Sequence, residues 1–426
     1  MSRSSGAARP RAAVVGAGVA GLTAAYLLQR AYDVTLYEAD GRLGGHAHTH
    51  DIANGDGRLV SLDTGFIVHN AHAYPRLLRL FGELGVATRD TEMSMSVHCE
   101  GCGLEYAGAR GPRGIFPGIG SLARPEYLAM LAAVPVFYAS ARRLLGAPGQ
   151  DALTFGEFLA RGRYRPYFVR HFAVPLVSAV WSCPPAEALN YPARYLFEFL
   201  AHHGMLSLAR SSGWRTVVGG SRAYVERIAK NLTSARTGVP VRAIRRVPGG
   251  VDIHAGEGRA DRFSRVVVST HPDQALRLLD PPTRAEQEVL GAFRYTSSQV
   301  LLHTDARLLP RASAARASWN YLLPGCGGRA GPVIVSYHLN RLMGLAEEAE
   351  YLVTLNDAGR VRPDRVLARM AYGHPVYTAE SVTAQQRLAS LNTRVIAYAG
   401  AYHGWGFHED GCRSGARAAR SLGVAW

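Results

Sequence analysis

With 426 residues, 47% apolar and 19% charged, the chain has a globular composition and room for two domains around a large core, which excludes a linker or a disordered tail. The formal net charge is +15, but the cations are arginines scattered along the chain, with Lys230 the single lysine; this excludes a nucleic-acid-binding arm and leaves an anionic substrate, an anionic lipid surface or a compositional bias as its meaning. Five cysteines, an odd number, do not make a disulfide framework and point to a reducing cytoplasm.

Residues 1–10 are polar and are expected to be disordered. The apolar stretch behind the first arginines imitates a signal peptide, but its glycine spacing gives a better account. "RAAVV" reads as a short buried strand, "GAGVAGLTAAYLLQR" as a glycine turn running into a helix, and "YDVTLYEA" as a second strand. The G-x-G-x-x-G of this βαβ unit falls on Gly16, Gly18 and Gly21, and an acid, Glu38, ends the second strand. Gly16 permits the tight turn, Gly18 lets backbone approach a pyrophosphate, and Gly21 lets helix and strand pack closely. Val19 and Ala20 open the helix, whose free N–H groups and dipole favour phosphate. Glu38, followed by Ala39, is placed to accept hydrogen bonds from ribose hydroxyls and disfavours a 2′-phosphate, so NADP is not the expected ligand.

Farther along, Cys99 and Cys102 form a C-x-x-C in "SVHCEGCGLEY", where alternating residues flank a glycine turn: a hairpin tip. A structural zinc needs four ligands, and no second pair follows at suitable spacing, so no metal is expected. "YLAMLAAVPVFYASARRLL" is the nearest approach to a membrane span, interrupted by Pro135 and ended by paired arginines. It reads as a core or channel-lining helix, with an interfacial helix resting on lipid as the alternative. Residues 237–270 hold short alternating runs ending in a buried strand. "RVIAYAGAYHGWGFHEDGCRSGARAARSLG" reads as a strand, a glycine turn and a C-terminal helix.

Arg42 and the doublet Gly44-Gly45 in "EADGRLGGHAHT" resemble the R-x-G-G element of the flavin-containing amine oxidase and carotenoid desaturase superfamily, and "VSLDTGFIVH" matches its following D-x-G segment. "AVWSCPPAEALNYPARYLFEFLAHHGML", "WRTVVGGSRAYVERI" and "AGAYHGWGFHEDGCRSG" extend the resemblance to nearly the whole chain after residue 10. Within the superfamily the chain resembles a bacterial predicted NAD/FAD-binding subfamily, associated with cyclopropane-fatty-acid-synthase-like methyltransferases and with oxidation of modified acyl chains. The resemblance implies an α/β fold: a Rossmann-like, glutathione-reductase-like FAD-binding domain from residues 11–75, 213–275 and 391–426, with an α+β substrate domain from 76–212 and 276–390 inserted. It implies FAD as cofactor, with Arg42 at the phosphates, Gly44 and Gly45 passing the flavin, and His46, Thr64 and Gly65 near the cofactor. The backbone of Val241 is implied to lie against adenine, and Gly400, Ala401, Phe407 and Gly411 to form a third wall. The helix beginning near Asp410 to Gly411 is expected to aim its N-terminus at the pyrimidine end of the ring.

The activity implied is dehydrogenation of an apolar acyl chain or methyl-branched fatty acyl lipid, with hydride passing to flavin N5 and electrons continuing to O2 or another acceptor. The alternatives are an amine oxidase and a flavin-dependent fatty-acid isomerase or flavoprotein with a structural cofactor. Many amine oxidases of this superfamily hold a water on a lysine beside the flavin, whereas Lys230 lies in a helix of the nucleotide domain and no other lysine exists. His403 and His408 flank "GWGF"; the glycines between them argue for an irregular loop rather than a metal site. His408 or Glu409 is a candidate base and Tyr402 a further catalytic candidate, with helix capping the competing duty of the acids. Ala401 stands where many relatives carry an acid for the ribityl chain. His46 or His48 could hold flavin covalently, hydrogen bonding or packing being the alternative. The expected setting is cytoplasmic, peripheral to the anionic inner membrane face, with a small-molecule or lipid substrate and no nucleic acid.

Overall fold

Arg11–Val15 is buried from its second residue onward because it lies at the centre of a sheet covered on both faces. A computed structural model describes residues 9–149, 152–181, 183–207, 213–256, 258–326 and 334–426. The disorder expected at the N-terminus falls, for residues 1–8, outside the described residues. The central sheet runs in the order Ser234–Arg236, Asp33–Tyr37, Arg11–Val15, Arg265–Val268 and Ile396–Tyr398, every pair parallel. Strands from three separated parts of the chain therefore build one doubly covered layer. Their alternation divides the core: Val14, Leu36, Val267 and Ala397 pack towards the helices Val19–Leu28 and His408–Ser421, while Val15, Val266, Val268 and Ile396 pack on the opposite face.

The two helices on the first face meet almost backbone to backbone. A Cβ on Gly415 would lie 2.3 Å from the carbonyl oxygen of Ala20, and one on Gly411 would lie 2.5 Å from Val19 Cγ1. Gly411 therefore serves helix packing, correcting its expected approach to the flavin ring. Gly21 has the expected packing role: its Cβ would sit 1.9 Å from the carbonyl oxygen of Gly16.

On the second face Val241–Val247, Gly250–Ala255 and Asp261–Phe263 form an antiparallel meander, extended by Leu279–Asp280. A separate seven-stranded sheet runs Val366–Val376, Arg294–His303, Leu352–Leu355, Ile334–His338, Trp319–Leu323, Met95–Cys99 and Leu104–Gly108. Helices between residues 125 and 202 cover it with an aromatic core in which Phe137 touches Phe155, Phe158, Phe168 and Phe197.

The apolar stretch at 127–145 lies in one 22-residue core helix, Pro125–Gly146, as expected, which runs on through Pro135 and both arginines. Its buried residues Tyr127, Met130, Val134, Phe137, Ala141 and Leu144 recur at alternating steps of three and four, a single core-facing seam. Length and composition would allow this helix to cross a membrane, but the seam is packed against protein.

Candidate active site

A cleft of about 850 Å³ opens where the glycine loop, the meander, the seven-stranded sheet and the start of the C-terminal helix converge. Gly16, Gly18, Val19, Ala20, Glu38, Ala39, Arg42, Gly45, His46, Thr64, Gly65, Val241, Gly400, Ala401, Tyr402, Phe407 and His408 line it. Gly21, Gly44, Glu409 and Gly411 do not.

At one end Gly16 turns with φ +98°, and a Cβ there would lie 2.9 Å from the Ser269 carbonyl oxygen. Beside Gly18 the space is open, with nothing within 4 Å of a Cβ position. The helix Val19–Leu28 starts at Gly18 with no capping side chain and no acid in its first turn. Its N-terminal end is left as an electropositive face. Glu38 accepts from the N–H groups of Ala17 at 2.7 Å and Asp40 at 3.0 Å, which fixes the acid at the end of its strand. Gly45, at φ +56°, crosses the loop so closely that a Cβ would be 3.1 Å from Gly18 Cα. Arg42 has its Nη1 buried with no acceptor among the described residues. A buried guanidinium donor in the same cleft as an uncapped helix start calls for an anion.

The third wall differs in detail from its expected form. The helix starts at His408, two residues early, and Asp410 accepts from the N–H of Phe407 at 3.1 Å while pairing with Arg413 at 2.6 Å. Burial raises the Asp410 carboxyl to about 6. Glu409 turns away and accepts the N–H groups of Arg76 at 3.1 Å and Leu77 at 2.9 Å, at the start of the helix Pro75–Leu84. This buried cap ties two helices together and corrects the candidate-base assignment of Glu409. His408 faces the cleft, its ring stacked on Phe66 with centroids 3.8 Å apart, and its Nε2 has no protein partner. Burial lowers it to about 3, so the imidazole is neutral at pH 7. Tyr402 is buried with an unpartnered hydroxyl, and burial raises its ionisation well above the ordinary phenol range.

A family model described as flavin containing amine oxidoreductase matches residues 19–422. The chain belongs to this family. It is an FAD-dependent oxidoreductase. It is 28% identical over 298 residues to carotenoid phi-ring synthase of Streptomyces griseus, across 63% of this chain and 54% of the relative, so the chain spans about half the length of that curated protein. Among solved structures, a redesigned putrescine oxidase aligns at TM-score 0.69 with 17% identity, covering 97% of this chain and 99% of the other. A CLA-producing fatty acid isomerase from P. acnes aligns at TM-score 0.67 with 20% identity, covering 95% and 97%. These likenesses establish the FAD-binding amine oxidase fold.

The side chains of this flavin-containing oxidoreductase fit the cofactor. The unpartnered Arg42 Nη1 and the open helix start suit a diphosphate, and the fixed carboxylate of Glu38 suits ribose hydroxyls. Gly44, with φ +111°, shapes the loop from behind, since a Cβ there would meet the Ala47 carbonyl oxygen at 2.4 Å. Gly65 admits the His46 carbonyl oxygen at what would be 2.2 Å from its Cβ.

His46 lines the cleft, whereas His48 does not: its Nδ1 is 2.9 Å from the Tyr372 hydroxyl. Sequence reasoning missed the partners of His46. Its ring lies 4.8 Å from Tyr372 and 5.8 Å from His374, on the long strand Val366–Val376, and His271 lines the same wall. Burial, then the nearby histidines, hold His46 well below its ordinary range. The i, i+2 alternation of Tyr372 and His374 was the available signal. Also missed were His203 and Met205, which line the cleft with Trp181 and Phe199, where Phe199 stacks on Phe407 at 4.8 Å and Trp181 Nε1 donates to the Trp405 carbonyl at 3.1 Å. Lys230 caps the end of the helix Arg222–Ala229 and is absent from the cleft lining, where no lysine occurs among the described residues. The spacing of cysteines along the chain also hides a cluster that the fold assembles. Cys326 and His171 meet Cys99 and Cys102, with all four ligand atoms within 4.8 Å of one another.

Proposed function

We propose that this oxidoreductase dehydrogenates an apolar acyl chain or related lipid. The observation that carries the reading is the distribution of charge in the cleft. Among the described residues its lining carboxylates are Glu38 and Asp40, at the nucleotide end, while Val180, Trp181, Phe199, Met205, Trp319 and Leu355 line its other walls. An ammonium group entering those walls would lose hydration without a counter-ion, at a cost of several kcal/mol. An acyl chain gains about 0.8 kcal/mol for each methylene buried there.

Bound FAD supplies the hydride acceptor. Neutral His408 is assigned as a hydrogen-bond acceptor towards the substrate, because its unpartnered Nε2 lies in the cleft wall, while burial argues against its keeping a proton. Tyr402 stays protonated and offers a hydrogen-bond donor. Phe199, Phe407 and Trp405 pack on one another and offer the substrate a continuous aromatic wall. The helix His408–Ser421 presents its N-terminal end to the cleft through Phe407 and His408, favouring negative charge there.

The same reading places the turn Ile119–Ser121 and the outer side of the helix Pro125–Gly146 against an anionic lipid surface. Ile119 is 89% exposed and Val136 58% exposed, with Leu122 and Leu128 also open. A second reading, amine oxidation, draws on the aromatic wall of Trp181, Phe199, Trp405 and Phe407, which suits an uncharged amine as well as an alkyl chain.

Mass analysis of products separates the readings. Incubation of the holoenzyme with methyl-branched and straight acyl phospholipids is expected to give chains lighter by one pair of hydrogens. Chains of unchanged mass with a moved double bond would mean isomerisation. Turnover confined to an amine panel would refute the lipid reading.

A further inference from the structure

Three cysteines and a histidine, drawn from three regions of the chain, converge on one point outside the cleft. Cys99 ends the strand Met95–Cys99, and Cys102 lies in the turn that follows. Cys326 comes just after Trp319–Leu323, which runs parallel to Met95–Cys99 in register. His171 sits in a π-helical segment, Val169–Ala173, a local widening of the helix of the kind that often marks a functional position. Cys99 Sγ is 3.5 Å from Cys326 Sγ, while His171 Nε2 is 3.7 Å from Cys102 Sγ and 3.9 Å from Cys326 Sγ.

We infer that Cys99, Cys102, Cys326 and His171 form a closed, structural Zn²⁺ site. Three of the six donor–donor distances are 3.5–3.9 Å and all are within 4.8 Å, close to a tetrahedron with edges of about 3.7 Å, whose centre is about 2.3 Å from each corner, the length of a zinc–thiolate bond and slightly more than a zinc–imidazole bond. Three thiolates and one imidazole are a soft donor set that selects zinc over magnesium or calcium. With four protein ligands no position stays open for substrate, so the ion holds structure rather than performing chemistry.

The surroundings prepare the ligands. His171 Nδ1 lies 3.1 Å from the Tyr167 carbonyl oxygen, the contact that puts the proton on Nδ1 and turns an unprotonated Nε2 towards the sulfurs. Tyr167 also stacks on the imidazole at 4.0 Å, and the Tyr106 hydroxyl donates to the His171 carbonyl at 2.7 Å. The turn at Gly101 passes so near that a Cβ would lie 2.6 Å from the Cys326 nitrogen, an approach that only glycine permits. A disulfide between Cys99 and Cys326 would instead leave Cys102 and His171 facing each other without a shared partner.

The site has a structural consequence for the cleft. Its ligands all lie outside the cleft lining, yet His171 precedes the helix Val174–Trp181, whose far end supplies Val180 and Trp181 to the substrate wall. Zinc therefore pins the hairpin 95–108 to the base of that helix and sets the position of the wall without touching the flavin.

The test is metal analysis of the holoenzyme, expressed with zinc and purified without a metal-binding tag. One zinc per chain is expected, and Co²⁺ exchanged into the site should show the intense visible bands of a tetrahedral thiolate complex. Cys326→Ser and His171→Asn should each lower zinc retention more than ~10-fold, while Cys183→Ser, at a buried cysteine outside the cluster, retains it. If the ligand variants do not fold, mercurial titration of the unaltered holoenzyme takes their place, with one zinc released as three thiols react. Flavin content, read in parallel, reports cofactor binding independently. Absence of zinc with no uptake of added Zn²⁺ or Co²⁺ by the reduced protein would overturn the inference, as would a Cys99–Cys326 disulfide in the native protein or undiminished zinc in Cys326→Ser.

Discussion

Arg42 and Glu409 illustrate how far a side chain's duty can be read from its neighbours in sequence. The Arg42 guanidinium has a buried nitrogen with no protein acceptor, so Arg42→Ala is expected to weaken FAD binding about 10- to 100-fold, the equivalent of about 1.5–3 kcal/mol for a hydrogen bond to a charged group. Flavin fluorescence titration measures this, and unchanged affinity would remove Arg42 from the phosphate site. Glu409→Ala is expected to destabilise the fold by about 1–2 kcal/mol in urea through loss of a helix cap, with flavin reduction no more than slightly slowed. A large loss of reduction rate at unaltered stability would restore a proton-transfer role. Arg42 was legible as a phosphate candidate through the R-x-G-G resemblance, and the titration tests that role. Glu409 was not, because a two-residue shift in where the helix begins decides which of two adjacent side chains faces the cleft.

At the scale of elements, legibility followed locality. The strand, glycine turn and helix at 11–28 could be read because each is specified by residues within its own span. The strand Val366–Val376 could not, since its identity depends on pairing with Arg294–His303, far away along the chain. Pro135 sits inside the core helix read for this stretch, where tertiary packing of the seam from Tyr127 to Leu144 outweighs the local cost of a proline. The exposed side of this region makes its own prediction. Because Ile119 and Val136 are open to solvent, the double variant Ile119→Glu, Val136→Glu should fold normally and lose binding to anionic phospholipid vesicles more than ~10-fold in co-sedimentation. Equal binding would place the lipid contact elsewhere or nowhere.

For the whole molecule, buried histidines set the pH response. Burial lowers His48, His403 and His408 to about 3, and His69, His203, His303 and His374 to about 4, from an ordinary 6.5. The unfolded chain takes up these protons below about pH 6.5 while the folded chain does not, so stability is lost as pH falls from 6.5 towards 4. Asp63 and Asp410, both raised to about 6 by burial, act with the opposite sign: the folded state takes up their protons first, so they add stability as pH falls through 6. The histidines outnumber them. The urea midpoint is therefore expected to fall between pH 7 and pH 5, and a flat or rising profile would show that these imidazoles are hydrated in solution. The nucleotide loop was visible in sequence because a glycine turn between strand and helix has few geometric uses, whereas the three-segment sheet and FAD were legible only through the family resemblance. The zinc ligands were hidden because Cys326 and His171 meet the C-x-x-C only after folding.

The central claim is that the cleft oxidises an apolar chain rather than an amine. It is tested most directly by anaerobic mixing of the holoenzyme with a long-chain acyl phospholipid and, separately, with an alkylamine of equal chain length, following the visible flavin band. The account predicts bleaching by the phospholipid, slowed in His408→Gln, and little or none by the amine. Bleaching by the amine alone would contradict it.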